Sequence, residues 1–230
     1  MIAHALSRER LGCSDRQTLR YGTLERTSHK DVGRPLPALM LRSFIYQLLS
    51  ALVACHSRGV SHGNFAPYRV LAKTVDEAKD QYLLKIADFG YSPPLAALSY
   101  HELPLRPSRA APELHTNHVQ KRYGPANDVW ALGTVMCEIA CGRRKPSIFA
   151  LLTGEHDLAH DTRLEAHLPL DTLGEAGMDL LHRMLLFGSE ARITAAEALC
   201  HPYFDNLHEQ CEVIACAQRR PELTVPFTPR

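Results

Sequence analysis

Leu84-Lys85-Ile86-Ala87-Asp88-Phe89-Gly90 is the stretch on which the reading of this 230-residue chain turns. Leu84 to Ala87 is a short apolar run of the kind that forms a strand, and Asp-Phe-Gly ends it with a charge, a ring and a residue free to turn. Immediately upstream, residues 68–73 and 81–87 are two such runs separated by the charged segment Thr74-Val75-Asp76-Glu77-Ala78-Lys79-Asp80, which predicts a small β-hairpin. Downstream, residues 91–112 hold five prolines and little periodicity, which predicts an extended, irregular loop because each proline removes a backbone donor.

Outside this core the chain reads as helical. Between residues 39 and 58, Leu41, Phe44, Ile45, Leu48, Leu49, Leu52 and Val53 recur at three-four spacing and predict a helix with one buried stripe. Residues 61–67 form a loop before the hairpin. Residues 127–141 read as a strongly apolar central helix, with Val129, Leu132, Val135, Met136 and Ile139 inside and Gly142 as its stop. Further helices are expected at 147–152, 174–186 and 194–199, the last stopped by Pro202. Residues 13–35 read as a short helix plus loop, and residues 210–230 as a partly disordered tail.

Composition narrows the function classes. Apolar residues make up 45% of the chain, enough for the core of one globular domain. Lys and Arg total 26 against 25 Asp and Glu, so no global field draws the chain to nucleic acid or to an anionic membrane, and any protein partner must be recognised locally. No run reaches the ~20 apolar residues of a membrane span, and residues 1–12, with Arg8, Glu9 and Arg10, do not read as a signal peptide. Seven scattered cysteines without a C-x-x-C pair fit reduced thiols, hence an intracellular location, cytoplasmic or nuclear. Cys137 and Cys141 share a helix face without a completing ligand, and His156, His160 and His167 lie in a polar stretch without cysteine; both groups read as non-metal.

Gly33-Arg34-Pro35-Leu36-Pro37, Tyr46-Gln47-Leu48-Leu49 and Cys55-His56-Ser57-Arg58-Gly59-Val60 together resemble the helix that precedes the catalytic loop of cyclin-dependent Ser/Thr protein kinases. Asp88-Phe89-Gly90 is similar to the family's metal-binding tripeptide, and Ala111-Pro112-Glu113 to the end of its activation segment. Asp128-Val129-Trp130-Ala131-Leu132-Gly133, Ala191-Arg192-Ile193-Thr194 and His201-Pro202-Tyr203-Phe204 resemble the family's central helix and closing segment. The order of these motifs carries the weight, because coincidences at independent positions multiply.

The resemblance implies a mainly α, protein-kinase-like C-terminal lobe with a small β-hairpin over residues 17–207, preceded by a hinge remnant at 1–16 and followed by a tail at 208–230. It implies that Glu113 and Arg192 form a buried ion pair whose rupture would cost ~3 to 5 kcal/mol. It further implies that Asp128 accepts backbone donors of the catalytic loop, and that His62 and Phe89 stack in an internal spine. No Gly-rich loop, strand lysine or partner glutamate helix precedes residue 13, so the N-terminal lobe is expected to be absent, and with it the helix on which cyclin docks.

Kinases read His-Arg-Asp-Leu-Lys-Pro-x-Asn in the catalytic loop, where this chain has His62-Gly63-Asn64-Phe65-Ala66-Pro67-Tyr68-Arg69. Asn64 stands in place of the catalytic Asp, Ala66 in place of the Lys beside the transferred phosphate, and Arg69 in place of the metal-binding Asn. Gly63 replaces the Arg that pairs with a phosphorylated activation loop, and Arg106 stands near the place of a substrate-positioning Thr. Asp88 either binds magnesium with nucleotide or caps the turn after its strand.

Three readings follow. The first is a non-catalytic, pseudokinase-like module that presents a surface to other proteins and needs no cofactor. The second is a Ser/Thr kinase that uses ATP and magnesium, represented by a divergent or incomplete chain. The third is a decayed fragment.

Overall fold

In the computed structural model the described residues are 22–24, 36–76, 81–89, 110–114, 123–141, 168 and 170–210. Helix α1 spans Ala38–His56 and starts after Pro37, whose carbonyl accepts from Leu41 N at 3.0 Å. Its stripe of Leu41, Phe44, Ile45, Leu48, Leu49 and Leu52 is buried, as a three-four repeat demands. By length and composition α1 could cross a membrane, although Arg42, Gln47 and His56 interrupt its apolar run. Here that stripe is packed inside the protein, against the central helix, the sheet and the C-terminal helices.

Strands β2, Val70–Asp76, and β3, Gln81–Ile86, pair antiparallel in the register Val70↔Ile86 and Ala72↔Leu84, with an irregularity between Thr74 and Asp76. The expected hairpin is therefore present, but the sheet has three strands. Strand β1, Gly22–Thr23, pairs antiparallel with β2 inside the segment read as helix plus loop. Two residues are too few to show an alternating pattern, and their strand exists only because β2 offers a ladder to join.

The order β1-β2-β3 leaves β3 with an open edge. Gln47 of α1 covers it. Its side-chain amide donates to Tyr82 O at 3.0 Å and accepts from Leu84 N at 3.0 Å, so one buried side chain does what a fourth strand would do. Phe44 meets the Tyr82 ring edge-on at 5.7 Å beside this contact and completes the join of helix to sheet.

Helix α2, Pro125–Ala140, is the buried centre of the domain; Trp130, Leu132, Val135, Met136 and Cys137 are enclosed. Pro125 opens it, and Asn127 Oδ1 accepts from Gly124 N at 2.6 Å. Helix α3, Leu170–Met184, is broken at Gly174, whose φ of 65° lies in the left-handed region. The expected start at Gly174 thus marks a kink, with one short turn before it. Gly177 sits against Tyr203, where an added Cβ would come within 2.7 Å of the ring.

Helix α4, Ala195–Leu199, is closed by a capping box in which Thr194 Oγ1 accepts from Glu197 N and Thr194 N donates to Glu197 Oε2. Pro202–Phe204 forms a 3₁₀ turn, and α5, Leu207–Gln210, extends helix into the segment read as a tail. Arg42 of α1 fastens this end by donating to Tyr203 O at 2.8 Å, Asp205 O at 2.7 Å and Gln210 Oε1 at 3.1 Å. The helix expected at 147–152, the loop through 109 and the tail beyond 210 lie outside the described residues.

Replacing Gln47 with Leu keeps the volume but strands a backbone N–H and a carbonyl at the sheet edge. The expected loss is about 2 kcal/mol, read in urea unfolding, with a midpoint temperature roughly 4–8 °C lower.

Candidate active site

Between α1 and β2 the chain makes a short loop whose shape is set by one carboxylate. Helix α1 ends in a turn at Gly59, φ 68°, where Val60 N reaches back to Cys55 O at 3.1 Å. From there the backbone runs past Asp128, which is wholly buried at the first turn of α2. Its Oδ2 accepts from His62 N at 2.7 Å, and its Oδ1 accepts from Gly63 N at 3.2 Å and from Tyr123 Oη at 2.9 Å. His56 Nε2 lies 2.9 Å from Oδ2, and facing a carboxylate it must carry its proton there. A buried carboxylate with this many donors is compensated for leaving water. Burial, reinforced by Asp128, pushes the Tyr123 hydroxyl well above its ordinary pKa, so it remains a donor.

His62 lies at the crossing of loop and sheet. Its Nε2 donates to Ala87 O at 3.1 Å and its Nδ1 accepts from Asn64 N at 3.2 Å, an arrangement that fits the neutral ring. Burial holds its pKa below the ordinary value, ahead of the opposing pull of Asp128. The ring meets Phe89 at 4.8 Å and Phe65 at 5.6 Å, both edge-on. His62 and Phe89 are therefore brought together, and Asp128 receives the loop backbone.

Asn64 and Ala66 are both buried in this loop. Arg69 N donates to Ala66 O at 2.9 Å and closes the 3₁₀ turn Pro67–Arg69, while Ala87 N donates to Arg69 O at 2.8 Å. These two backbone bonds set residue 69 beside residue 88. The Arg69 guanidinium is ion-paired with the Asp88 carboxylate, and lies 5.3 Å from the centre of the Tyr68 ring.

Metal-binding oxygens are needed at this place in a kinase. Residue 69 offers only N–H donors, and the Asp88 carboxylate is already engaged by a cation. A divalent ion about 4 Å from a guanidinium would be repelled by roughly 8 kcal/mol, twice the figure for two unit charges at an effective dielectric of 20. The residues present do not fit magnesium. Among the described residues no group of three His, Cys, Asp or Glu side chains gathers to hold a metal elsewhere.

Glu113 and Arg192 meet as a fork, Nη1 to Oε1 at 2.8 Å and Nη2 to Oε2 at 2.9 Å. Asn127 Nδ2 also donates to Glu113 at 2.7 Å, and Arg192 donates to Ala126 O and Leu186 O and lies 5.0 Å from the Trp130 ring centre. This pair ties the end of the activation segment to α2 and to the segment before α4. Gly63 has φ 81°, a left-handed backbone suited to glycine.

Cys137 is buried, Cys141 half-buried, and burial raises the Cys137 thiol well above its usual pKa. Arg106, His156, His160 and His167 lie outside the described residues. Sequence reading missed His56 and Tyr123 as partners of Asp128, and the pairing of Arg69 with Asp88. The Cys55-His56-Ser57 motif was the available signal for the first; for the other two the spacing carried none.

The buried neutral state of His62 has a pH consequence. Its pKa is lower folded than unfolded, so the unfolded chain binds the proton more readily and stability falls as pH drops below ~6.5. The slope from this group is at most about 1.4 kcal/mol per pH unit. His62→Phe, which keeps a ring between Phe65 and Phe89, is expected to flatten the decline between pH 7 and 5 in denaturant titrations.

A model of the protein kinase domain matches residues 18–204. "Calcium-dependent protein kinase 11" of Arabidopsis thaliana is 34% identical over 167 residues, covering 69% of this chain and 31% of that protein. "Cell division control protein 2 homolog 2" of Trypanosoma brucei brucei is 33% identical over 201 residues, covering 74% of this chain and 55% of that one. "Calcium-dependent protein kinase 4" of Arabidopsis thaliana is 33% identical over 172 residues, covering 71% and 32%. The chain spans from about a third to just over half the length of these relatives. Calcium-dependent kinases and a cell-division relative both match, which supports a Ser/Thr protein kinase with likeness to the cyclin-dependent type. With the kinase scaffold at Asp128, His62, Phe89, Glu113 and Arg192 described, and the family match running over most of its length, this chain belongs to the protein kinase domain family.

Proposed function

We propose that this kinase domain is catalytically impaired, a pseudokinase-like module that acts by presenting its surface to other proteins. The observation that carries the reading is that Asn64 stands in a catalytic loop whose supports are intact: His62 and Gly63 donate to Asp128, and Asn64 N donates to His62. The loop has kept its form while the base has gone. A neutral amide cannot take the proton of a substrate hydroxyl, a service worth roughly 10²- to 10⁴-fold in rate. Ala66 brings no charge to a transferring phosphate, where a fixed cation stabilises the transition state.

The retained bonds at Asp128 and His62 and the Glu113–Arg192 fork support a folded, working module over a decayed fragment. The near balance of 26 basic and 25 acidic residues supports partners recognised locally, through shape and a few polar contacts. The free thiols of Cys55, Cys137, Cys141 and Cys200 support a reducing compartment, cytoplasmic or nuclear.

Incubated with magnesium, labelled ATP and a basic protein substrate, the chain is expected to transfer phosphate at least ~100-fold more slowly than a kinase with a carboxylate base. Transfer at ordinary kinase rates, abolished by Asp88→Ala, would overturn the proposal and restore ATP and magnesium as working cofactors.

A further inference from the structure

Asp88 follows β3 with φ 65°, a left-handed backbone uncommon for a non-glycine residue. Arg69 grips it twice, pairing through Nη1 with the Oδ2 atom and reaching the Asp88 carbonyl at 3.4 Å. The Asp88 side chain is 35% exposed and that of Arg69 11% exposed, so the guanidinium is the more deeply buried partner of the pair.

The pairing is built into the loop. The 3₁₀ turn at Pro67–Arg69 fixes residue 69, and the bond from Ala87 N to Arg69 O brings the two neighbouring backbones together. The Tyr68 ring beside the guanidinium adds a contact that Arg makes better than Lys.

A divalent ion and this guanidinium compete for the same carboxylate. Hard cations bind oxygen ligands, whereas Arg supplies five N–H donors and no acceptor. With Arg in place, Asp88 is already neutralised and an arriving ion meets positive charge. We propose that Arg69 is a built-in replacement for the divalent cation, which neutralises Asp88 from within and closes its carboxylate to magnesium. The inference rests on the kinase-domain reading and deepens it, because it assigns the metal's place to a residue of the chain.

Manganese(II), the paramagnetic stand-in for magnesium, tests this on the full chain, followed by thermal midpoint and by water-proton relaxation. The native chain is expected to show no manganese-dependent shift and no relaxation enhancement that depends on Asp88. Arg69→Asn restores an oxygen ligand and frees the carboxylate. It is expected to gain about 3–5 °C at a tenfold excess of ion over its dissociation constant, and to lose that gain in Arg69→Asn/Asp88→Ala.

Manganese binding by the native chain that Asp88→Ala abolishes would overturn the inference, as would a cooperatively folding Arg69→Asn variant that gains nothing. If Arg69→Asn does not fold, the comparison of native chain with Asp88→Ala decides alone: equal relaxation supports the replacement, and an Asp88-dependent enhancement defeats it. The two proposals fail separately. Metal on native Asp88 leaves Asn64 without a base, and phosphoryl transfer without metal at Asp88 defeats the functional reading while leaving this one standing.

Discussion

The carboxylate of Asp128 is out of contact with solvent, and a charge in that position is tolerable only when donors surround it. Two of those donors are backbone N–H groups of the catalytic loop, at His62 and Gly63; the others, Tyr123 and His56, come from just before α2 and from the end of α1. Moving any of these elements would leave buried polar groups unpaired. The loop, the central helix and the helix before it are therefore held in one arrangement, and His62 carries that arrangement on to Ala87 and Phe89 beyond the sheet.

This constraint separates the form of the loop from the side chains at 64 and 66. Asp128 binds backbone at 62 and 63, and His62 binds backbone at 64, so none of these bonds is made by the side chains at 64 or 66, whereas position 63, with φ 81°, favours glycine. The Glu113–Arg192 fork follows the same logic at the far end of the activation segment, since its partners at Asn127, Ala126 and Leu186 are all structural.

Position 69 is where structure and chemistry meet. An Asn there would present an oxygen, whereas the Arg that is present extends to Asp88 and forms an internal ion pair. The fold tolerates this because the guanidinium is packed beside Tyr68 and its charge is met by the carboxylate it occupies.

Much of the fold could be read along the chain. The stripe of α1, the apolar α2 and the two runs of the hairpin are local patterns, set by the periods of helix and strand, whereas Gly174 read as a helix start and only the structure made it a kink with a turn before it. The kinase family could be read from the order of motifs, and the changes at Asn64, Ala66 and Arg69 from the same alignment of residue types. Strand β1 could not be read, because two residues carry no period and their pairing depends on a strand about fifty residues away in sequence. Nor could the cover that Gln47 gives the β3 edge, the donation of Tyr123 and His56 to Asp128, or the closure of Arg69 on Asp88. Residue type determined which donors and charges the chain possesses; only the tertiary structure decided which of them meet, because hydrogen bonds and ion pairs act over a few ångströms of space and take no account of distance along the chain.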